Sequence, residues 1–124
     1  MPWTVRFEDE FEAEFLALQQ KVQDELLVAA RALAEYGPGL GRPYVDTLKG
    51  SKHANMKELR FDAEGGVWRV AFAFDPRRQG ILLVADDKSG ASQGRFYKQL
   101  IAKADKRFSA HLERLKKASV GRRR

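Results

Sequence analysis

Three short apolar segments in the middle of the chain are joined by linkers that are short enough for hairpins. The segments read MKELRFD (56–62), VWRVAFAFD (67–75) and GILLVAD (80–86). Their linkers, AEGG and PRRQ, have the composition of tight turns. Strands joined by such turns pair antiparallel. The sequence therefore predicts an antiparallel three-stranded meander at the centre of the fold.

Amphipathic helical patterns lie on both sides of the meander. Large apolar residues recur every three or four positions through residues 8–36, where GPG stops the pattern, and again through residues 95–117. The first pattern fits one long helix or a helical hairpin bent near residues 19–21. TVRF (4–7) is a further strand candidate, and residues 40–55 have the composition of a loop. The predicted class is α+β: a small antiparallel sheet packed by N-terminal helices, with a basic C-terminal helix.

The length of 124 residues predicts a single domain, assigned to residues 1–118, followed by a basic flexible tail at 119–124. The absence of cysteine excludes disulfides and thiolate metal sites and fits a reducing cytoplasm. No apolar stretch approaches the length of a membrane span. Net charge is +6, but residues 88–124 carry 12 Lys and Arg against 2 Asp and Glu. This asymmetry indicates a polyanionic partner, with nucleic acid as the first candidate.

Alternation along the strands predicts where two central arginines point. Side chains of a strand alternate between its faces. Trp68, Val70, Phe72 and Phe74 share one large apolar face, whereas Arg69 lies on the other face among alanines. Arg60 has the matching parity in the preceding strand. Burial of an unpaired guanidinium is costly, so we predict that both arginines emerge on one open face with room for a ligand. The alternative is a cross-strand ion pair with Glu58.

The order of these segments resembles the HigB-like branch of the RelE/ParE toxin superfamily, which includes the phage-derived Gp49-like proteins. The resemblance runs through most of residues 3–113. It is carried by LKG before a strand that ends in ELRF, by the aromatic-Arg-Val triplet at 68–70, and by a basic loop leading into a terminal helix with an early tyrosine. The family fold is a small antiparallel sheet packed by N-terminal helices, as expected above.

The resemblance implies the toxin of a type II toxin–antitoxin system, a ribosome-dependent mRNA endonuclease that inhibits translation. Its implied partners are the ribosome, the mRNA and a cognate antitoxin, expected to be a helix-turn-helix protein. The family pattern places Arg60 and Arg69 at the basic strand positions that contact the scissile phosphate. It places Lys88 in the basic loop and Tyr97 at the tyrosine of the terminal segment.

The chemistry of metal-free RNA cleavage extends this list. The 2′-hydroxyl must lose a proton, charge on the phosphorane must be stabilised and the 5′-oxygen must gain a proton. Arginines suit the second task. For the base we name Glu58 first, then Tyr97, then His53. Further contacts to RNA or to the ribosome are expected from five residues: Lys57, His53, Arg95, Lys98 and Lys103. Two histidines without a shared acidic cluster predict no zinc site, and we expect no cofactor.

Two other functions fit the same residues. One is a ParE-like toxin that inhibits a protein target such as DNA gyrase without catalysis. The other is a basic module that binds RNA. The paired arginines and Tyr97 favour the endonuclease, because a docking surface requires neither.

Overall fold

The computed structural model describes residues 2–122. Its five strands are β1 (Thr4–Phe7), β2 (Val45–Thr47), β3 (Lys57–Ala63), β4 (Gly66–Phe74) and β5 (Gln79–Asp87). Its three α-helices are α1 (Asp9–Leu16), α2 (Gln20–Tyr36) and α3 (Gln93–Arg122). The described part of the predicted tail, residues 119–122, continues α3, and residues 123 and 124 lie outside the described residues. None of the described helices is both long and apolar enough to cross a bilayer.

The strands form a single sheet in the order β1-β5-β4-β3-β2. The predicted meander β3-β4-β5 and the α+β class are confirmed. Two features differ from the expectation. β1 pairs parallel with β5, so the sheet is not wholly antiparallel. Residues 45–47, predicted as loop, form β2 along the outer edge of β3.

The first face of the sheet is covered by α1 and α2. Of the two arrangements left open for residues 8–36, the structure has two helices, which are separated at residues 17–19. Glu8 caps α1 by accepting hydrogen bonds from the backbone N–H groups of Glu10 and Phe11. The apolar strand face that alternation predicted contributes to this core, which contains Phe11, Phe15, Leu26, Leu33, Val45, Leu59, Val70, Phe72 and Leu82.

The second face of the sheet is not open along its length, as the sequence had suggested, because α3 packs across it. The small side chains of Ala71 and Ala73 were interpreted as room for a ligand. Their neighbours are instead apolar side chains of α3, namely Phe96, Leu100, Ala104 and Phe108. A second core with Met56, Ile81 and Leu83 results. Only the part of this face beside the first turns of α3 remains for a site.

Part of the positive charge of α3 is neutralised within the molecule. Arg107 is only 6% exposed and forms ion pairs with Glu8, Glu10 and Glu14, while its Nη1 also donates to the Leu83 carbonyl. Arg114 pairs with Glu8 and with the exposed Asp9. The acidic first helix therefore binds the basic last helix, and the cationic surface is smaller than the charge count had indicated.

Candidate active site

Arg60 and Arg69 face each other across β3 and β4. They are direct partners in the antiparallel register, and partners in such a pair point to the same face of the sheet. The shared face predicted from alternation is therefore what the structure has. Tyr97, in the second turn of α3, reaches the same place from the side. The three side chains and Glu58 form what we call the Glu58 cluster.

Glu58 is the centre of this cluster. Its residue is only 3% exposed. One carboxylate oxygen, Oε2, accepts hydrogen bonds from Arg60 Nη2 at 2.8 Å and Arg60 Nε at 3.1 Å. The other, Oε1, accepts a hydrogen bond from the Tyr97 hydroxyl at 2.8 Å. This Arg–Glu pair lies within β3; the cross-strand pair that the sequence left as an alternative corresponds to the longer contact of 3.6 Å between Arg69 Nε and Glu58 Oε1. Both oxygens of the carboxylate are engaged.

Arg69 lies deeper than expected for a group that contacts substrate. Its side chain is 11% exposed, and its Nη1 donates to the carbonyl of Trp68 at 2.9 Å. Its Nε is 3.6 Å from Glu58 Oε1, too far for a hydrogen bond, and is a buried donor without a partner. Arg69 therefore places a positive charge on the buried side of Glu58 and Tyr97, and it contributes little to the exposed surface of the site.

Arg60 is the more accessible of the two arginines. Its side chain is 32% exposed, and besides Glu58 it contacts Asp46 of β2 at 3.3 Å. The hydrogen bonds to Glu58 raise the pKa of the guanidinium above its ordinary value. Asp46 is in turn bound by the exposed Arg42 at 3.2 Å. The backbone N–H of Thr47, followed by Arg42, holds the pKa of the Asp46 carboxyl below its ordinary value.

Tyr97 is kept protonated by its surroundings. Partial burial raises the pKa of its phenol, and the hydrogen bond to Glu58 raises it further, against a smaller lowering by Arg69. Lys88, which follows β5, places its ammonium nitrogen 5.8 Å from the centre of the Tyr97 ring. A phenol with a raised pKa stays protonated at neutral pH, where a base must be deprotonated. These contacts argue against Tyr97 as the base.

The remaining candidates from the sequence lie outside the cluster. His53 bonds to Ser109 Oγ at 3.0 Å and packs on Phe108, farther along α3. Lys57 is next to Glu58 in β3 and therefore points to the opposite face. Arg95, Lys98 and Lys103 are exposed on α3. Among residues 2–122 there is no group of three or more His, Asp or Glu placed to hold a metal ion.

Asp46 is a site residue that sequence reasoning missed. It lies in a segment whose glycine and proline content indicated a loop, so no strand parity could be assigned to it. A weak signal was present, because VDT is a β-branched pair around a polar residue. Three residues are too few to distinguish such a strand from a loop.

Comparison with known proteins agrees with the fold and with the family resemblance. The family described as Phage derived protein Gp49-like (DUF891) matches residues 13–109, and the chain belongs to this family. It is 39% identical over 123 residues to HigB2 of Mycobacterium tuberculosis, a protein that carries the name of a toxin. It is 44% identical over 93 residues to HigB3 of the same organism, also named as a toxin. The HigB-like resemblance noted in the sequence is thus confirmed.

The extent of these matches differs. The HigB2 match covers 98% of this chain but 60% of HigB2, so the chain spans less than two thirds of that relative. The HigB3 match covers 75% of this chain and 79% of HigB3. A solved structure of an Escherichia coli RelE toxin mutant in the free state has a TM-score of 0.56 at 12% identity. It covers 83% of this chain and 97% of that one, and at this identity it shows a shared fold alone.

Proposed function

We propose that this chain is the toxin of a type II toxin–antitoxin system and cleaves mRNA on the ribosome. Membership of the Gp49-like family and the similarity to two proteins named as toxins support the class. The fold shared with RelE also supports the class. A cognate antitoxin, which we expect to be a small helix-turn-helix protein, would be the neutralising partner.

One observation carries the catalytic part of the proposal. An accessible guanidinium and a protonated phenol both bond to a single buried carboxylate, and an ammonium group lies 5.8 Å from the centre of the phenol ring; these groups come from one strand, a helix and a loop. A surface that only docks on another macromolecule does not need a buried carboxylate to fix a tyrosine. Such an arrangement is suited to a phosphodiester, which requires charge stabilisation and a proton donor close together.

The cluster suggests a role for each group. Arg60 binds the non-bridging oxygens of the scissile phosphate, and Lys88 adds positive charge as the phosphorane forms. The Tyr97 hydroxyl releases its hydrogen bond to Glu58, donates its proton to the departing 5′-oxygen and later regains a proton from solvent, while Arg69 stabilises the intervening phenolate. Glu58 holds Arg60 and Tyr97 in place. Its engagement on both oxygens favours this positioning role over the role of base. The 2′-hydroxyl loses its proton to solvent as its oxygen attacks the phosphorus, within the ribosomal complex.

Arg60 provides the direct test. Arg60→Gln should lower mRNA cutting by about 100-fold or more, as is typical when a group that stabilises a charged transition state is removed. Cutting is measured by mapping mRNA ends in a reconstituted translation system. Arg42→Gln is the matched control, because Arg42 binds the same Asp46 but is 77% exposed and does not contact Glu58.

The same assay separates the alternatives. Cuts inside translated codons support the endonuclease. Inhibition of DNA supercoiling by the unaltered protein, with intact mRNA, would show a ParE-like action on gyrase and would overturn the proposal. Intact mRNA together with normal supercoiling would leave a binding module without catalysis.

A further inference from the structure

A pocket of about 480 Å³ opens beside Tyr97, between α3 and the loop that precedes β3. Its wall includes Lys49, Gly50, Gly94, Tyr97, Lys98 and Ile101. Tyr97 is the residue that this pocket shares with the Glu58 cluster. A ligand in the pocket would therefore be next to the phenol that we assign to proton donation. The volume is in the range of small-ligand sites.

The charges at the pocket are available to a ligand. Lys49 and Lys98 are exposed, and neither is within 4 Å of a carboxylate among the side chains that the structure describes. Asp105 is the acidic residue of the wall, but it is already engaged. It accepts hydrogen bonds from Ser51 Oγ and from the backbone N–H of Lys52. The pocket thus presents two free cations beside one satisfied carboxylate.

The floor and width of the pocket suit a flat group. Tyr97 and Ile101 provide apolar surface, and the two glycines leave the sides open. A Cβ at Gly50 would lie 3.9 Å from the Ile101 side chain, and one at Gly94 would have nothing within 4 Å. Gly50 has a φ of +98°, a conformation that favours glycine.

We propose that this pocket is a nucleotide subsite, which binds one base of the RNA strand next to the scissile phosphate. The base packs on Tyr97 and Ile101, and the phosphates on either side of it pair with Lys49 and Lys98. Stacking on an aromatic side chain between cationic groups is the usual way in which proteins bind single-stranded RNA. The inference rests on the proposed function, because it places the strand with respect to Tyr97.

The salt dependence of RNA binding tests the two lysines. Binding of a fluorescent single-stranded oligoribonucleotide is measured by anisotropy at several salt concentrations. For single strands, each phosphate contact contributes about 0.7 to the slope of log affinity against log salt. Lys49→Gln and Lys98→Gln should each lower the slope by about 0.7. Lys117→Gln, an exposed lysine on the same helix outside the pocket, should leave it unchanged.

A bulky side chain tests the pocket itself. Gly94→Leu should reduce RNA affinity by about tenfold, the loss expected when one base–aromatic stacking contact is removed. The melting temperature should not fall, because the position is open and leucine is a better helix former than glycine. Ala110→Leu is the matched control, at an exposed position of α3 away from the pocket.

The outcomes separate this inference from the function on which it rests. The subsite is overturned if the pocket variants behave like their controls, or if the unaltered protein does not bind the oligoribonucleotide at low salt. Normal cutting of ribosome-bound mRNA by all variants would overturn the subsite and leave the endonuclease in place. The expected binding pattern without any cutting by the unaltered protein would support the subsite and overturn the endonuclease.

Discussion

Among single residues, Glu58 determines what its neighbours can do. A carboxylate that is buried and bound to a guanidinium is stabilised by the pair and costly to leave alone. It therefore fixes the direction of Arg60 and of the Tyr97 hydroxyl in the absence of substrate. Arg69, whose Nε has no hydrogen-bond partner, adds positive charge below the carboxylate without reaching the surface. The two most buried residues of the cluster, Glu58 and Arg69, thus determine where the more accessible Arg60 and Tyr97 point.

The raised pKa of Tyr97 predicts a specific loss of stability in alkali. The unfolded phenol ionises near its ordinary value of 10.0, while the folded phenol holds its proton to higher pH. Its contribution to stability is complete below pH 10 and is lost as pH rises toward the folded pKa. Urea denaturation should therefore show the native chain losing its stability advantage over Tyr97→Phe above pH 10.

Two controls belong to this measurement. Below pH 9 the difference in unfolding free energy between the two proteins should be constant. Glu58→Gln should reduce the alkaline effect, because it removes a group that raises the pKa of Tyr97. A difference that does not change with pH would show that the phenol titrates alike in both states.

At the scale of elements, α3 does more than the sequence indicated. Its N-terminal half carries Tyr97 to the sheet, its middle forms the second core, and its second half binds α1 through Arg107 and Arg114. The sequence predicted the apolar stripe, since that pattern is local. It could not predict the ion pairs, because Arg107 and Glu14 are 93 positions apart.

Loss of the Arg107 contacts should loosen α3 against α1. Arg107→Met removes a buried cation that has several carboxylate partners. We expect the free energy of unfolding to fall by about 3 kcal/mol. This is the lower end of the range for breaking a buried ion pair, because Glu10 and Glu14 are partly solvated. Lys106→Met, one residue away and exposed, should change stability by less than about 0.5 kcal/mol. Chemical denaturation measures both, and equal effects would contradict the ion-pair role.

Strand parity predicted the faces of the meander, but the degree of burial needed the structure. Trp68 was expected in the core, where truncation costs about 3–5 kcal/mol. It is only half-buried, stacked on Phe61 with ring centres 6.2 Å apart. We now expect Trp68→Ala to cost about 2 kcal/mol, in line with partial burial of a large side chain. Thermal and urea unfolding check this value, and a negligible change would mean that the stack contributes nothing.

On the scale of the whole molecule, two cores share one sheet. The helical layer of α1 and α2 and the layer of α3 pack on opposite faces of β4 and β5. Neither layer can lose its contacts without exposing strands on which the other depends. The sequence predicted helices on one face only. Alternation along a strand identifies the face with the larger apolar side chains. Ala71 and Ala73, on which α3 packs, are too small to indicate a second buried face.

The shared sheet predicts a single cooperative unfolding transition. Trp3 contacts Phe74 in β4 with ring centres 5.3 Å apart, and Trp68 stacks on β3. Fluorescence of the single-tryptophan variants Trp3→Phe and Trp68→Phe should each give a urea transition that coincides with its own circular dichroism transition. Separate midpoints for fluorescence and circular dichroism would show that the two layers unfold independently.

The pairing of β1 with β5 has a consequence during synthesis. Thr4 pairs with Gln79 and Phe7 with Leu82, so β1 has no strand partner until β5 has also been synthesised. The Glu58 cluster assembles later than the β1–β5 pair, because α3 follows β5 in the chain and supplies Tyr97. A nascent chain therefore cannot assemble the Glu58 cluster until α3 has been synthesised.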